Sequence, residues 1–320
     1  MKKLLIFNKS LARGGAERVT VYLADYMVKN GVSCDILTET ISKNEYDAPS
    51  GVERITLKSK GYFSKIREIR KFIKNSGADT VLVMGVSNSI YVIPATFGLK
   101  VKVVISERND PNHFLGKTLV KKYSRFLMRF ADGFVFQNQY AKDFYKKKLK
   151  GRGEVIFNPL FTDGLPEVYT GERKKEFVNL GRLHEQKNQK MLINAFSAIS
   201  EKHKDFTLTI YGEGKLKDEL QALIDEKGLK ERVNLAGNKS NVLELIKDSY
   251  AFILSSNFEG MPNALIEAMS IGLPCISTDC PGALSLIEDG KNGLIIKVKD
   301  EYALIEAMDK LASNTELAKS

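Results

Sequence analysis

None of the 320 residues belongs to an apolar run of 18 or more, and the segment from Met1 to Lys9 has too short an apolar stretch for a signal peptide. A membrane-spanning or exported chain is not expected, and a cytoplasmic one is. Cysteine is scarce: Cys34, Cys275 and Cys280 form no paired framework, and His113, His184 and His203 are scattered among them without metal-ligand spacing. The cysteines read as reduced core residues. No Asp-x-Asp triplet is present to seat a divalent ion on a diphosphate. Short-period repeats and low-complexity tracts are absent, and no recognised nucleic-acid module accompanies the basic charge. A dinucleotide cofactor is not supported either. Gly212 and Gly214 follow a strand-like run, but position 217, where that fingerprint needs a third small residue, is Lys.

What is present is length and alternation. The chain exceeds the size at which single cores usually divide, so two domains are expected, 1–165 and 166–320. In the first, strand-like runs at 3–8, 32–38, 80–84, 101–105, 133–136 and 154–157 alternate with helical stretches beginning at Gly14-Gly15 and around 63–75, 117–131 and 139–149. A polar, turn-rich segment, 162–171, reads as a linker. Strand-like runs at 177–180, 206–211, 232–236, 250–254, 275–278 and 294–297 follow, separated by helical stretches. The pattern predicts two Rossmann-like α/β domains with mainly parallel sheets facing a cleft, with ligands at the carboxyl ends of the strands.

Charge divides along the same boundary. Residues 1–165 hold 29 Lys and Arg against 15 Asp and Glu, whereas 166–320 hold 20 against 24. The basic residues of the first half gather in 58–74, 117–129 and 142–152, interleaved with Tyr, Phe, Leu and Ile. Such helices suit an anionic membrane surface. Equally, they suit a solvated face whose apolar stripe packs inward. Nucleic acid is the weaker partner.

The densest chemistry lies in Ser255-Ser-Asn-Phe-Glu259-Gly-Met-Pro262-Asn263-Ala264-Leu265-Ile-Glu267-Ala-Met-Ser-Ile-Gly272. Pro262 suits a first helical turn, and Gly272 followed by Pro274 marks a helix end. The amides around Asn263, Ala264 and Leu265, at the positive end of the helix dipole, can hold a diphosphate. Glu259 then lies before the anion, facing a transferred sugar, and Glu267 beyond it, facing a ribose. Upstream, Asn179-Leu-Gly-Arg182-Leu-His-Glu-Gln-Lys187 places two cations after a strand, a forked Arg and a compact Lys suited to a leaving diphosphate.

These stretches, with the continuation from Gly272 to Gly282, resemble the retaining, GT-B-fold, nucleotide-sugar-dependent glycosyltransferases of family 4. The resemblance implies that Arg182 and Lys187 bind the donor pyrophosphate, and that Gly212 and Asn238 belong to loops of the nucleotide pocket. It further implies that the glycine-rich Arg13-Gly14-Gly15-Ala-Glu-Arg-Val lets backbone approach the donor phosphates and sugar. Many relatives place a His near the sugar where this chain has Ser106-Glu107-Arg108-Asn109. A similar Ser-x-Arg-Asn pattern occurs in a subset acting on surface polysaccharides and lipid-linked oligosaccharides. Arg108 is thus a candidate contact for a charged acceptor or the donor sugar, and His113 reads as a surface loop residue.

The expected reaction is retaining and metal-independent, moving a sugar from a UDP-sugar to a saccharide acceptor, lipid-linked, at the inner face of the cell membrane. No cofactor is expected, the nucleotide sugar being a substrate. A GT-B sugar-nucleotide epimerase and a non-catalytic basic lipid- or nucleic-acid-binding protein are the alternatives. Relatives end in a helix that crosses back to the first domain, which is expected to lie beyond the helical stretch 301–312 and so outside this sequence.

Overall fold

The computed structural model describes residues 2–113, 118–149, 151–162, 164–314 and 316. Met1, Lys117, Lys150 and Asp163, which fall within stretches singled out above, lie outside the described residues. Packing divides the chain into two compact units, Met1–Pro159 and Leu160–Ser320.

The first unit runs β1 (Lys3–Asn8), α1 (Gly15–Lys29), β2 (Ser33–Thr38), β3 (Glu53–Thr56), α2 (Tyr62–Ser76), β4 (Thr80–Met84), α3 (Ser89–Thr96), β5 (Lys102–Glu107), α4 (Thr118–Leu127), β6 (Gly133–Phe136), α5 (Gln139–Leu149) and β7 (Gly153–Val155). Its parallel sheet has the order β3-β2-β1-β4-β5-β6-β7. In β1, Leu4 to Phe7 are all buried, because a parallel sheet covered on both faces needs an unbroken apolar run and not an alternating one. Leu4 pairs with Cys34 on one side and Thr80 on the other.

The second unit continues with β8 (Lys174–Leu180), α6 (Gln189–Ser200), β9 (Thr207–Tyr211), α7 (Lys217–Glu226), β10 (Val233–Gly237), α8 (Val242–Ile246), β11 (Ser249–Leu254), α9 (Asn263–Ser270), β12 (Cys275–Thr278), β13 (Leu294–Ile296) and α10 (Glu301–Ser313). The sheet order is β10-β9-β8-β11-β12-β13, again parallel. Leu165, placed in the first domain by its sequence, packs into the core of this unit. Both units are therefore Rossmann-like α/β domains, each with its own core.

Two elements have no sequence signal above. Strand β3 is short and half-exposed at a sheet edge, and α3 contains Pro94. Three cysteines are buried free thiols, and burial pushes Cys34 and Cys280 up to about 12. No helix among the described residues is long and apolar enough to cross a membrane.

Candidate active site

In the second unit the chain reverses its direction of sheet growth between β8 and β11, and the loops leaving their carboxyl ends lie side by side, where open α/β sheets bind ligands. The loop after β8 carries Arg182 and Lys187. The loop after β11 carries Glu259. Lys187 sends its alkyl stem over Gly181, where an added Cβ would meet Cδ and Cε at 3.1 Å. Its Nζ stops 2.6 Å from Glu259 Oε1, with both side chains largely enclosed, 16% and 8% exposed. Ser256 Oγ donates to the same Oε1 at 2.7 Å, and Gln186 Nε2 to Oε2 at 3.3 Å.

The two loops are bound to each other as well as through that pair. Asn257 N donates to the Gln186 carbonyl at 2.7 Å and Ser255 Oγ to the Lys187 carbonyl at 2.9 Å. From the first residue of α6, fully buried Gln189 donates to the Arg182 carbonyl at 3.0 Å. Arg182 itself is exposed at the mouth, and its charge is felt by His184, whose pKa is lowered by burial first and by Lys215 and Arg182 after it. Lys187 is thus paired with Glu259, while Arg182 projects to solvent. A diphosphate would meet one exposed cation at once and would compete with a carboxylate for the other.

Gly212 is required for a reason that spacing could not show. Its φ is +146°, and a Cβ there would fall 2.0 Å from the Gly181 carbonyl oxygen. The close approach lets Gly181 N reach the Tyr211 carbonyl at 2.9 Å and Leu183 N the Glu213 carbonyl at 3.1 Å, which pins the Arg182 loop to β9. Gly212 N donates in turn to the Gly237 carbonyl at 2.9 Å, so exposed Asn238 sits at the adjoining strand end.

The helix after Glu259 begins one residue later than its sequence suggests. Pro262 is the N-cap, with extended backbone (φ −79°, ψ 97°), and Asn263 is the first helical residue. The Leu265 amide already donates to the Pro262 carbonyl at 3.0 Å and its side chain is fully buried, so Leu265 serves the helix and its core, and Asn263 and Ala264 are the candidate anion-facing positions that remain. At the other end Gly272, at φ +72°, donates to Met269 and Leu273 N donates to Ala268, a Schellman cap that only a left-handed residue closes readily. Glu267 lies on this helix and is 9% exposed.

The first unit brings together the remaining candidates. Gly14 is the N-cap of α1 and Gly15 its first residue, with no side-chain cap. The Glu17 carboxylate folds back over this turn: a Cβ at position 14 would lie 2.6 Å from its Oε2. Glu17 is also the charge that acts most strongly on Arg108, whose pKa is lowered to about 10, chiefly by burial, against the pull of Glu17 and Glu107. Arg108 Nη2 donates to Asn158 Oδ1 at 2.8 Å. Gln137, with its amide turned to satisfy both ends, donates to the Arg108 carbonyl at 2.9 Å and accepts from the guanidinium at 3.2 Å. His113 is a loop residue paired through Nδ1 with buried Asp110 at 2.9 Å. The residues missed from sequence are the supports, Ser256 and Gln186 beneath Glu259, and Glu17 and Glu107 beside Arg108. All four stand inside the motifs quoted above; Gln186–Glu259 and Glu17–Arg108 join segments distant in sequence, and the local contacts of Ser256 with Glu259 and of Glu107 with Arg108 carry no spacing signal of their own.

Basic helix α4 also differs from one of its two readings. Leu119, Tyr123, Phe126 and Phe130, at helical spacing along α4 and the turn after it, are 79%, 43%, 46% and 48% exposed, so this apolar stripe does not pack inward. The residues of α4 that do are Ser124 and Leu127.

Comparison with known proteins agrees with this architecture. Residues 166–320 match the family model of glycosyl transferases group 1, and residues 13–163 that of glycosyltransferase family 4. An uncharacterized glycosyltransferase of Methanocaldococcus jannaschii is 32% identical over 67% of this chain, which spans 58% of that relative's length. An N-acetylgalactosaminyltransferase of Campylobacter jejuni, named for a diphospho-undecaprenol-linked acceptor, is 28% identical over 100% of this chain and 93% of its own. Among solved structures, Anabaena HepE in complex with UDP and glucose superposes with a TM-score of 0.82 at 18% identity, covering 100% of this chain and 92% of that one, which shows the GT-B fold.

Proposed function

The chain belongs to the group 1 and family 4 glycosyltransferases, and from that membership we propose that it is a retaining, metal-independent transferase moving a sugar from a UDP-sugar to a lipid-linked saccharide at an anionic membrane surface. The observation that carries the reading is the enclosed Lys187–Glu259 pair at the switch point of the second sheet, with Arg182 exposed beside it. Arg182, Lys187 and the amino end of α9 supply positive charge for the diphosphate, a task otherwise given to a divalent ion, and the sequence has no Asp-x-Asp to hold one. Glu259 faces the sugar and Glu267 the ribose. As the anomeric C–O bond to UDP breaks, the acceptor oxygen bonds the same carbon from the leaving-group face. UDP departs with the electron pair, and a donor phosphate oxygen takes the acceptor's proton. Arg108 contacts the acceptor or the sugar.

The acceptor class is supported by the Campylobacter relative, whose name specifies a diphospho-undecaprenol carrier. Membrane docking is supported by the α4 stripe. Phe126 and Phe130 pack edge to face at 5.9 Å, Phe97 joins them at 5.4 Å, and the Arg129 guanidinium lies 4.2 Å from the Phe126 ring. Aromatic rings with flanking Lys122 and Arg129 fit the boundary of an anionic leaflet, each cation contributing about 1 kcal/mol there. Thermal stabilisation by a panel of nucleotide sugars tests the donor assignment, since a ligand of the folded state raises the melting temperature. A UDP-sugar should stabilise most. Failure of every nucleoside diphosphate to stabilise the chain would support the non-catalytic lipid-binding alternative.

A further inference from the structure

Glu107 ends β5 with a carboxyl group only 5% exposed. Oε1 accepts the backbone N–H groups of Arg108 at 3.0 Å and Asn109 at 3.3 Å, and Oε2 accepts the phenol O–H of fully buried Tyr145 at 3.1 Å. The charged and titratable groups facing it are Tyr145 from α5, Arg125 from α4 and Arg108 from its own loop. Arg125 holds the far side of that loop, donating from Nη2 to the Pro111 carbonyl at 2.6 Å while lying 5.0 Å from the Phe144 ring and 5.8 Å from that of Tyr145. Burying a carboxyl group here is costly, and an apolar side chain would fill the space without that cost. What only a carboxylate supplies is a charged acceptor for two successive amides, which binds them more strongly than a neutral one. Those amides fix the backbone from which the Arg108 side chain leaves. The Arg108 Nε is buried without a hydrogen-bond partner, and its guanidinium is held through Nη2 by Asn158 and Gln137, so the backbone at Arg108 sets where those contacts place it.

We propose that Glu107 is a positioning residue for glycosyl transfer, holding the Arg108–Asn109 backbone so that Arg108 meets the substrate in one orientation. The proposal rests on the assignment of Arg108 to the site made above. Burial also pushes the Glu107 carboxyl up to about 7, so it takes up a proton as pH falls through neutrality, and its hold on the two amides weakens.

The test compares kcat/KM for transfer in the full chain across pH 6 to 8.5 for wild type, Glu107→Gln, Arg108→Ala and the double variant. Glu107→Gln should lower kcat/KM about tenfold, within the range of coupling between contacting residues. It should do so without lowering the melting temperature at pH 8, and it should cause no further loss in the Arg108→Ala background. Wild-type kcat/KM should decline below about pH 7, and that of Glu107→Gln should be flat. If Arg108→Ala impairs transfer while Glu107→Gln does not, or if the two losses simply add, the proposal fails. If Arg108→Ala retains wild-type transfer, the assignment of Arg108 fails and takes the proposal with it. Should Glu107→Gln not fold, Tyr145→Phe removes only the O–H held by Oε2 and serves the same comparison, with its loss again confined to chains that retain Arg108.

Discussion

Replacing Glu259 by Gln separates the two glutamates of the second unit. The substitution preserves shape and leaves an oxygen for Ser256 Oγ, but removes the charge 2.6 Å from Lys187 Nζ. Breaking an enclosed ion pair on one side costs about 3 kcal/mol, which a melting curve will read as a lower transition temperature. Catalysis should suffer more, because a carboxylate orienting the sugar as charge develops acts chiefly in the transition state, and loss of one such group lowers kcat by about 10²- to 10³-fold. Nucleotide affinity should move the other way. The released ammonium no longer has a carboxylate to compete with the diphosphate, so UDP should bind as well as before or up to about tenfold tighter, a gain of about 1.4 kcal/mol. Glu267→Gln, by contrast, removes the proposed ribose contact, one made equally before and during transfer, and should raise the donor KM with kcat kept. Calorimetric titration with UDP beside steady-state kinetics decides the matter. Equal loss of UDP affinity in both variants refutes the division of labour.

Arg182→Ala and Lys187→Ala should each cut turnover by about 10²-fold, and chelation by EDTA should leave wild-type activity unchanged; abolition by EDTA with recovery on adding a divalent ion contradicts the metal-independent reaction. Phe126→Ser with Phe130→Ser should weaken co-sedimentation with vesicles containing acidic lipid, and wild-type binding should decline as salt rises; indifference to both leaves the stripe unrelated to lipid. Glu107 predicts a pH dependence of stability. The unfolded chain releases this proton near 4.5 and the folded chain holds it to about 7, so the group destabilises the fold by about 3 kcal/mol as pH rises through that window and no further above it. Denaturant unfolding of Glu107→Gln should lack that slope, and an identical slope in both chains would contradict the burial argument.

The parallel strands were legible because both faces of each sheet are covered, which forces near-continuous apolar runs such as those of β1 and β11. Strand β3 escaped because a half-exposed edge strand needs no such run, and α3 because Pro94 reads as a breaker. Pro262 marked the start of α9 within one residue, since its fixed φ suits the N-cap as well as the first turn. In the site, Arg182, Lys187 and Glu259 were visible as residue types in motifs. That Lys187 and Glu259 bond each other was not, because the contact joins loops 72 residues apart. Gly212 was visible as a turn glycine, but the carbonyl that excludes its Cβ belongs to a different strand's loop. The orientation of the α4 stripe could not be read from periodicity, which shows that two faces exist and not which one is covered.

The central claim is sugar transfer from a nucleotide donor to a lipid-linked acceptor, and the most direct measurement is UDP release from a panel of UDP-sugars with and without an undecaprenyl-diphosphate-linked saccharide, with the lipid product followed by mass spectrometry. UDP release should depend on the acceptor and should leave the acceptor heavier by one sugar residue. UDP released at the same rate with no acceptor present, with the saccharide unchanged, would contradict that claim and favour the epimerase alternative.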